Sequence, residues 1–177
     1  LGLLVFFFSI CEGGMYDWSG VYFREVVKEE LFTLSYLVFM ISMTISRFMS
    51  DRFIEQLGES IYYVISSSVA FVGIGLVILF PYLIPALIGF SITGFGVAAI
   101  FPMTFTMTSK SKKYAPGVAI SLVATYATVG MLIGPPLIGY VAHFLKLQYA
   151  FVIFLIAVFS IIPLSRKLFK ILIKGEN

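Results

Sequence analysis

The chain has 177 residues, 60% of them hydrophobic and only 12% charged, with a formal net charge of +3. Soluble domains carry about 25% charged residues, so a water-soluble globule is excluded, and the bilayer must act as solvent. The single cysteine, Cys11, and single histidine, His143, exclude an intrachain disulfide and any Cys/His metal site.

Crossing about 30 Å of hydrocarbon takes roughly 20 mostly apolar residues. Six such runs occur, over about 1–23, 31–49, 60–80, 83–108, 117–142 and 148–165. They are continuous rather than alternating at period two, which predicts helices and not a barrel. The expected fold class is an all-α membrane protein, with one six-span unit over 1–177 and no separate soluble domain. The chain opens on Leu1 with its first residues already span-like. It therefore reads as the C-terminal part of a longer protein whose N-terminal half is absent.

The first run holds the most unexpected segment, CEGGMYDWSGVY over 11–22. Glu12 falls near mid-span, where a carboxylate costs at least ~2.5 kcal/mol. Such a group marks a solute or ion pathway by default and can hold and release a proton. The alternative is a neutral carboxyl making one structural hydrogen bond. Gly13 and Gly14 beside it predict a bend or unwinding of the helix. Asp17 lies about 7.5 Å further along and about 140° around a regular helix. It is a second proton-coupling candidate, or else pairs with Arg24. Trp18 and Tyr22, at i and i+4, offer apolar faces with polar edges that suit a sugar or another amphipathic solute. They equally suit an interfacial belt.

The second run contains Tyr36 and the fifth Tyr126, both weaker binding candidates. After the second run, Asp51 and Arg52 end the span where charge fixes topology or caps the helix. The third run ends in an uncharged turn, and the sixth is apolar nearly all round. The fourth run carries Gly94, Gly96 and Pro102, and the fifth carries Gly134, Pro135 and Pro136. Proline removes a backbone donor, and in a membrane such breaks survive only where neighbours or a wet cavity satisfy the freed groups. Tight packing of small residues is the competing explanation. The first and fourth runs, both glycine-interrupted, correspond when six spans are split into two triplets. That is the pattern of an inverted three-plus-three transporter repeat.

Basic residues fall unevenly. Arg47, Arg52, Lys110, Lys112, Lys113, Arg166, Lys167, Lys170 and Lys174 lie on one side, against Arg24, Lys28 and Lys146 on the other. By the positive-inside rule the C-terminus and the even connections are cytoplasmic, so the basic charge reports topology and not nucleic-acid binding.

The second connection, RFMSDRFIEQLG (47–58), resembles the short cytoplasmic loop after the second helix of a major facilitator superfamily half. This resemblance implies that Asp51 and Arg52 hold an inner gate closed. GFGVAAIFP (94–102) and GPPLIG (134–139) resemble the tenth and eleventh helices of the same superfamily. The resemblance covers essentially the whole chain and identifies it with spans seven to twelve of such a transporter. Glu12, Trp18 and Tyr22 also match a Glu-x5-Trp-x3-Tyr pattern in fucose and sugar–proton symporters, and EGGMYDWSGVY resembles a bacterial branch of facilitators. The resemblance implies a secondary transporter in a bacterial inner membrane, moving a small solute with protons. Its implied partners are the solute, protons, lipid and an N-terminal six-span half; no cofactor is implied. Two other classes stay open. Ser91 and His143 suggest an intramembrane serine protease of rhomboid type, though Ile92 stands where that family has glycine. A six-span scaffold without transport activity is the other.

Overall fold

The computed structural model describes residues 1–109 and 114–175. The basic positions Lys110, Lys112 and Lys113 lie outside the described residues. Among them the chain is all helical: α1 Gly2–Tyr22, a π-turn Phe23–Val27, α2 Thr33–Leu57, α3 Glu59–Leu79, α4 Leu83–Val97, α5 Ile100–Ser109, α6 Pro116–Phe144, α7 Leu147–Ala150 and α8 Val152–Gly175.

Among the described residues, five stretches are long and apolar enough to cross a membrane: Thr33–Leu57, Glu59–Leu79, Leu83–Ser109, Pro116–Phe144 and Leu147–Lys170. The protein is thus an integral, multi-pass membrane protein. Helix α1 has 21 residues, enough for a span, but Glu12, Asp17 and its glycines dilute its apolar character.

The segment 47–58, expected as a connection, is helical almost throughout. Arg, Met, Glu, Gln and Leu are good helix formers, and nothing breaks the pattern before Gly58. That glycine has φ +79, a left-handed backbone that glycine adopts without a Cβ penalty. It alone joins α2 to α3. Arg47 therefore belongs to the body of α2 and not to a connection.

The helices pack as two seams linked by α8. Helix α1 lies along α6 and α8, α4 lies between α2 and α3, and α8 also packs on α3. Both seams depend on missing side chains. A Cβ on Gly130 or Gly134 of α6 would sit 2.5 Å from the Phe6 carbonyl or 2.7 Å from the Ile10 carbonyl of α1. Across α3 and α4, Gly73 and Gly89 face each other, and a Cβ on Gly89 would lie 2.8 Å from the Gly73 carbonyl oxygen. Small residues let membrane helices approach to backbone contact. In a solvent as apolar as the side chains themselves, that packing is the main source of cohesion.

The same packing corrects the expected bend at Gly13-Gly14. Helix α1 runs unbroken through both. Gly13 makes room for Met131 of α6 and Gly14 for the Phe154 ring of α8. Helix α6 likewise continues through Gly134, Pro135 and Pro136, so these are not breaks. The fourth run is interrupted, at Ala98-Ala99, between Gly96 and Pro102.

Candidate functional site

Proline at position 102 has no N–H to offer the carbonyl four residues back, which is Ala98. That carbonyl is taken up from outside its own helix. The Arg47 side chain of α2 donates its Nε–H to the Ala98 oxygen at 3.1 Å. One residue earlier, the Ser46 hydroxyl donates to the Phe95 oxygen at 2.7 Å. The break between α4 and α5 is therefore closed by two consecutive side chains of α2, as an intramembrane break requires.

Arg47 also faces α1. Its Nη2 stands 3.7 Å from Oε1 of Glu12, close enough for charge attraction but too long for a hydrogen bond. Glu12 is only 4% exposed. Its Oε1 accepts a hydrogen bond from the Tyr16 hydroxyl at 2.6 Å, one helical turn along the same face of α1. The same hydroxyl lies 3.8 Å from the Met43 sulfur of α2. Glu12, Tyr16 and Arg47 thus form one polar cluster where α1, α2 and the α4–α5 break meet. A buried carboxyl with a phenol donor and a nearby guanidinium is satisfied whether charged or neutral, which a proton-carrying group requires.

The cluster has an opening. A cleft of about 330 Å³ between α1 and α2 is lined by Tyr16, Asp17, Arg24, Phe32 and Tyr36 among others. The Tyr16 and Tyr36 rings meet edge to face, 6.1 Å apart. Tyr16 is accordingly both a wall of the cleft and the hydrogen-bond donor to Glu12.

The other expected positions separate. Asp17 is exposed in the cleft wall, away from Glu12; Arg24, its expected partner, pairs instead with Glu25 at 3.2 Å. Trp18 is half-buried against α6, its indole N–H donating to the Pro135 oxygen at 3.0 Å. Tyr22 is fully buried, donates to the Val77 oxygen of α3 at 2.6 Å, and stacks with Phe90 and Phe151. Neither a belt nor a binding face describes it; Tyr22 is core. Tyr126 stands over Gly2 at the start of α1, about 15 Å along that helix from Glu12 at helical rise. Asp51 lines a separate opening of about 400 Å³ with Ser50, Glu55, Ala99 and Pro102, and Arg52 is exposed. Ser91 lies on α4 and His143 near the end of α6, and no hydrogen bond joins them among the described residues.

Tyr16 and Arg47 were missed by sequence reasoning. Tyr16 carried a signal, the i+4 spacing from Glu12. Arg47 carried one as well, since the expected span 31–49 already contained it, yet it was counted with the connecting loop.

Trp18 packs against α6, and its replacement measures that contact. Trp18→Phe removes one interhelical hydrogen bond, an interaction worth about 0.6 kcal/mol on average in a membrane protein. A small loss of thermal stability in detergent is expected.

No family model matches the chain. An uncharacterised MFS-type transporter of Yersinia pestis is 31% identical to it over 153 residues, 85% of this chain and 40% of the relative. The chain is a relative of major facilitator superfamily transporters. The membrane protein MosC of Rhizobium meliloti is 29% identical over 170 residues, 95% of this chain and 42% of the relative. An uncharacterised transporter of Sinorhizobium fredii is 31% identical over 162 residues, 90% of this chain and 42% of the relative. The chain spans about two fifths of the length of these curated relatives, a share consistent with one half of a facilitator.

Proposed function

We propose that the protein is a secondary transporter of the major facilitator type, carrying a small polar solute by alternating access and coupled to protons through Glu12. Residues 1–177 form its C-terminal half, with α1 as the first of six spans and the C-terminus cytoplasmic. The observation that carries this reading is Glu12 itself. It is a carboxyl in mid-helix, buried and yet provided with a phenol donor and a guanidinium, and that phenol, Tyr16, lines a cleft.

The packing supports a three-plus-three repeat. Exchange of the two triplets maps the first–fifth seam (α1 with α6) onto the fourth–second seam (α4 with α2). It also maps the third–fourth seam (α3 with α4) onto the sixth–first seam (α8 with α1). Each of these pairs is in contact, as an internal two-fold repeat demands. Substrate sites in such folds lie near mid-membrane at a repeat interface, and Glu12 stands at that depth.

A sugar remains the solute that the Glu-Trp-Tyr resemblance implies. Of those three residues only Glu12 belongs to the polar cluster, so the rings available to a sugar are Tyr16 and Tyr36. Asp51 and Arg52, at the far end of α2, are the gating candidates, where Asp51 faces Pro102 across its own opening.

The test is accumulation by the protein as its gene encodes it, reconstituted in proteoliposomes with an imposed proton gradient. Accumulation of a labelled solute above equilibrium, collapsed by a protonophore, is the expected result. Uptake that is indifferent to the protonophore would overturn the coupling.

A further inference from the structure

The polar cluster is unevenly satisfied, and the imbalance lies on Arg47. Its Nε–H is committed to the Ala98 carbonyl, which fixes the plane of the guanidinium. Its Nη2 lies 3.7 Å from Glu12, attracted but not hydrogen-bonded. The side chain is 49% exposed, although it stands only a few residues past the middle of α2. Glu12 has meanwhile taken its hydrogen bond from Tyr16. Arg47 therefore presents the terminal edge of a rigid fork, whose geometry matches a carboxylate bidentately.

The surrounding charges are few. Asp51 follows one turn along α2 and makes no ion pair with Arg47 among the described residues. Tyr16 and Tyr36 face the cluster from α1 and α2, and Cys11 precedes Glu12. Helices α4 and α5 contain no charged residue. On α6 the titratable side chains are Tyr126, Tyr140 and His143, and on α8 the charged side chains Arg166, Lys167 and Lys170 sit toward the C-terminal end. When Glu12 takes up a proton, Arg47 loses the one carboxylate that stands within 4 Å of it among the described residues.

We infer that the solute carries a carboxylate and that Arg47 is its binding residue, the acid taking over from Glu12 as counter-ion when Glu12 is protonated. This rests on the proton-coupled reading above and names its substrate class. The exchange balances. Glu12 gains one proton from water, the solute brings one negative charge, and the site stays neutral with Arg47 positive throughout. On the other side the proton and the acid leave together and the Glu12–Arg47 pair re-forms. Binding of proton and acid is linked, each favouring the other by the same factor. A monoanion carried with one proton moves no net charge, so its uptake follows the pH gradient and ignores the membrane potential. A neutral sugar carried with a proton would move one positive charge and follow both.

The test uses the protein as its gene encodes it, with three acids and their neutral counterparts as probes: galacturonate and galactose, glucuronate and glucose, lactate and lactamide. Binding is read by thermal stabilisation, which grows with occupancy. At least one acid is expected to stabilise the wild type, its neutral counterpart not. Arg47→Gln is expected to weaken that acid at least tenfold. Arg47→Lys, which keeps the cation but loses the fork, should fall between while remaining folded. Uptake of the bound acid in proteoliposomes should respond to a pH gradient and not to a potassium–valinomycin potential. Equal stabilisation by the neutral counterpart, no stabilisation by any acid, or unaltered acid binding in Arg47→Gln would each overturn the inference. Potential-driven accumulation of a neutral sugar would overturn it while leaving proton coupling standing. Acid binding through Arg47 with gradient-driven uptake intact in Glu12→Gln would instead leave the acid site standing and remove the coupling role of Glu12.

Discussion

Glu12→Gln is expected to abolish gradient-driven accumulation while leaving exchange of labelled for unlabelled solute in place. Glutamine has the size of glutamic acid and still accepts the hydrogen bond that Tyr16 donates to Glu12. It cannot ionise, so it holds the site in its neutral state. If the proton must leave Glu12 in each unloaded return step, that step stops, whereas the loaded protein still reorients. Exchange needs only the loaded steps. Accumulation should fall to the level of passive equilibration, and exchange should stay within a few-fold of wild type. A carboxyl that is merely structural would tolerate glutamine with both activities intact. Loss of both activities together with loss of binding would indicate misfolding or direct solute contact. The comparison therefore has a separate outcome for each role of the residue.

Gly94→Val should prevent assembly of the fold. A Cβ at Gly94 would run into the backbone carbonyl of Phe39 on α2, and no rotamer change can move a backbone atom aside. Overpacking a well-filled interior costs typically about 1–3 kcal/mol and occasionally more. Here the helices must also separate, which pulls Ser46 and Arg47 away from the carbonyls they close at the α4–α5 break. Those carbonyls then stand unsatisfied in hydrocarbon, at several kcal/mol each. The expected readout is loss of monodisperse protein on size exclusion in detergent. Gly75→Ala is the matched control. Nothing lies within 4 Å of a Cβ there, so its stability should match wild type. If Gly94→Val were as stable as Gly75→Ala, the α2–α4 seam would not have the described geometry.

What the sequence made legible follows from which forces act locally. Apolar runs mark where the helices lie because the hydrocarbon requirement applies to every residue of a span. Glu12 stood out for the same reason, since a carboxyl in such a run is costly wherever it points. The breaks were harder. Glycine and proline spoil a soluble helix, but here Gly13, Gly14 and Gly134 serve the approach of neighbouring helices, and only the Gly94–Pro102 stretch interrupts one. Which of these outcomes holds depends on what packs against the residue, and no local pattern records that. Trp18 and Tyr22 illustrate the same limit. Their spacing places them on one face of α1, but that face meets α6 and α3, not a cavity.

Arg47 shows how a correct rule can hide a site. Basic residues near span ends do report topology, and eight of the nine can be assigned to that role without Arg47. The ninth sits a few residues past the middle of a helix of 25 residues. Its position follows from α2 running on to Leu57 and from Pro102, which has no N–H to give the Ala98 carbonyl that Arg47 satisfies.

A Glu12 that couples transport to protons, as proposed, must gain and lose a proton within the pH range in which transport operates. Infrared difference spectroscopy of the reconstituted protein, recorded across a pH titration, reads this directly through the carbonyl stretch of a protonated carboxyl. The expected result is a band that appears and disappears over the pH range in which transport operates, and that is missing from Glu12→Gln. A spectrum in which that band is unchanged by pH, or persists undiminished in Glu12→Gln, would contradict it.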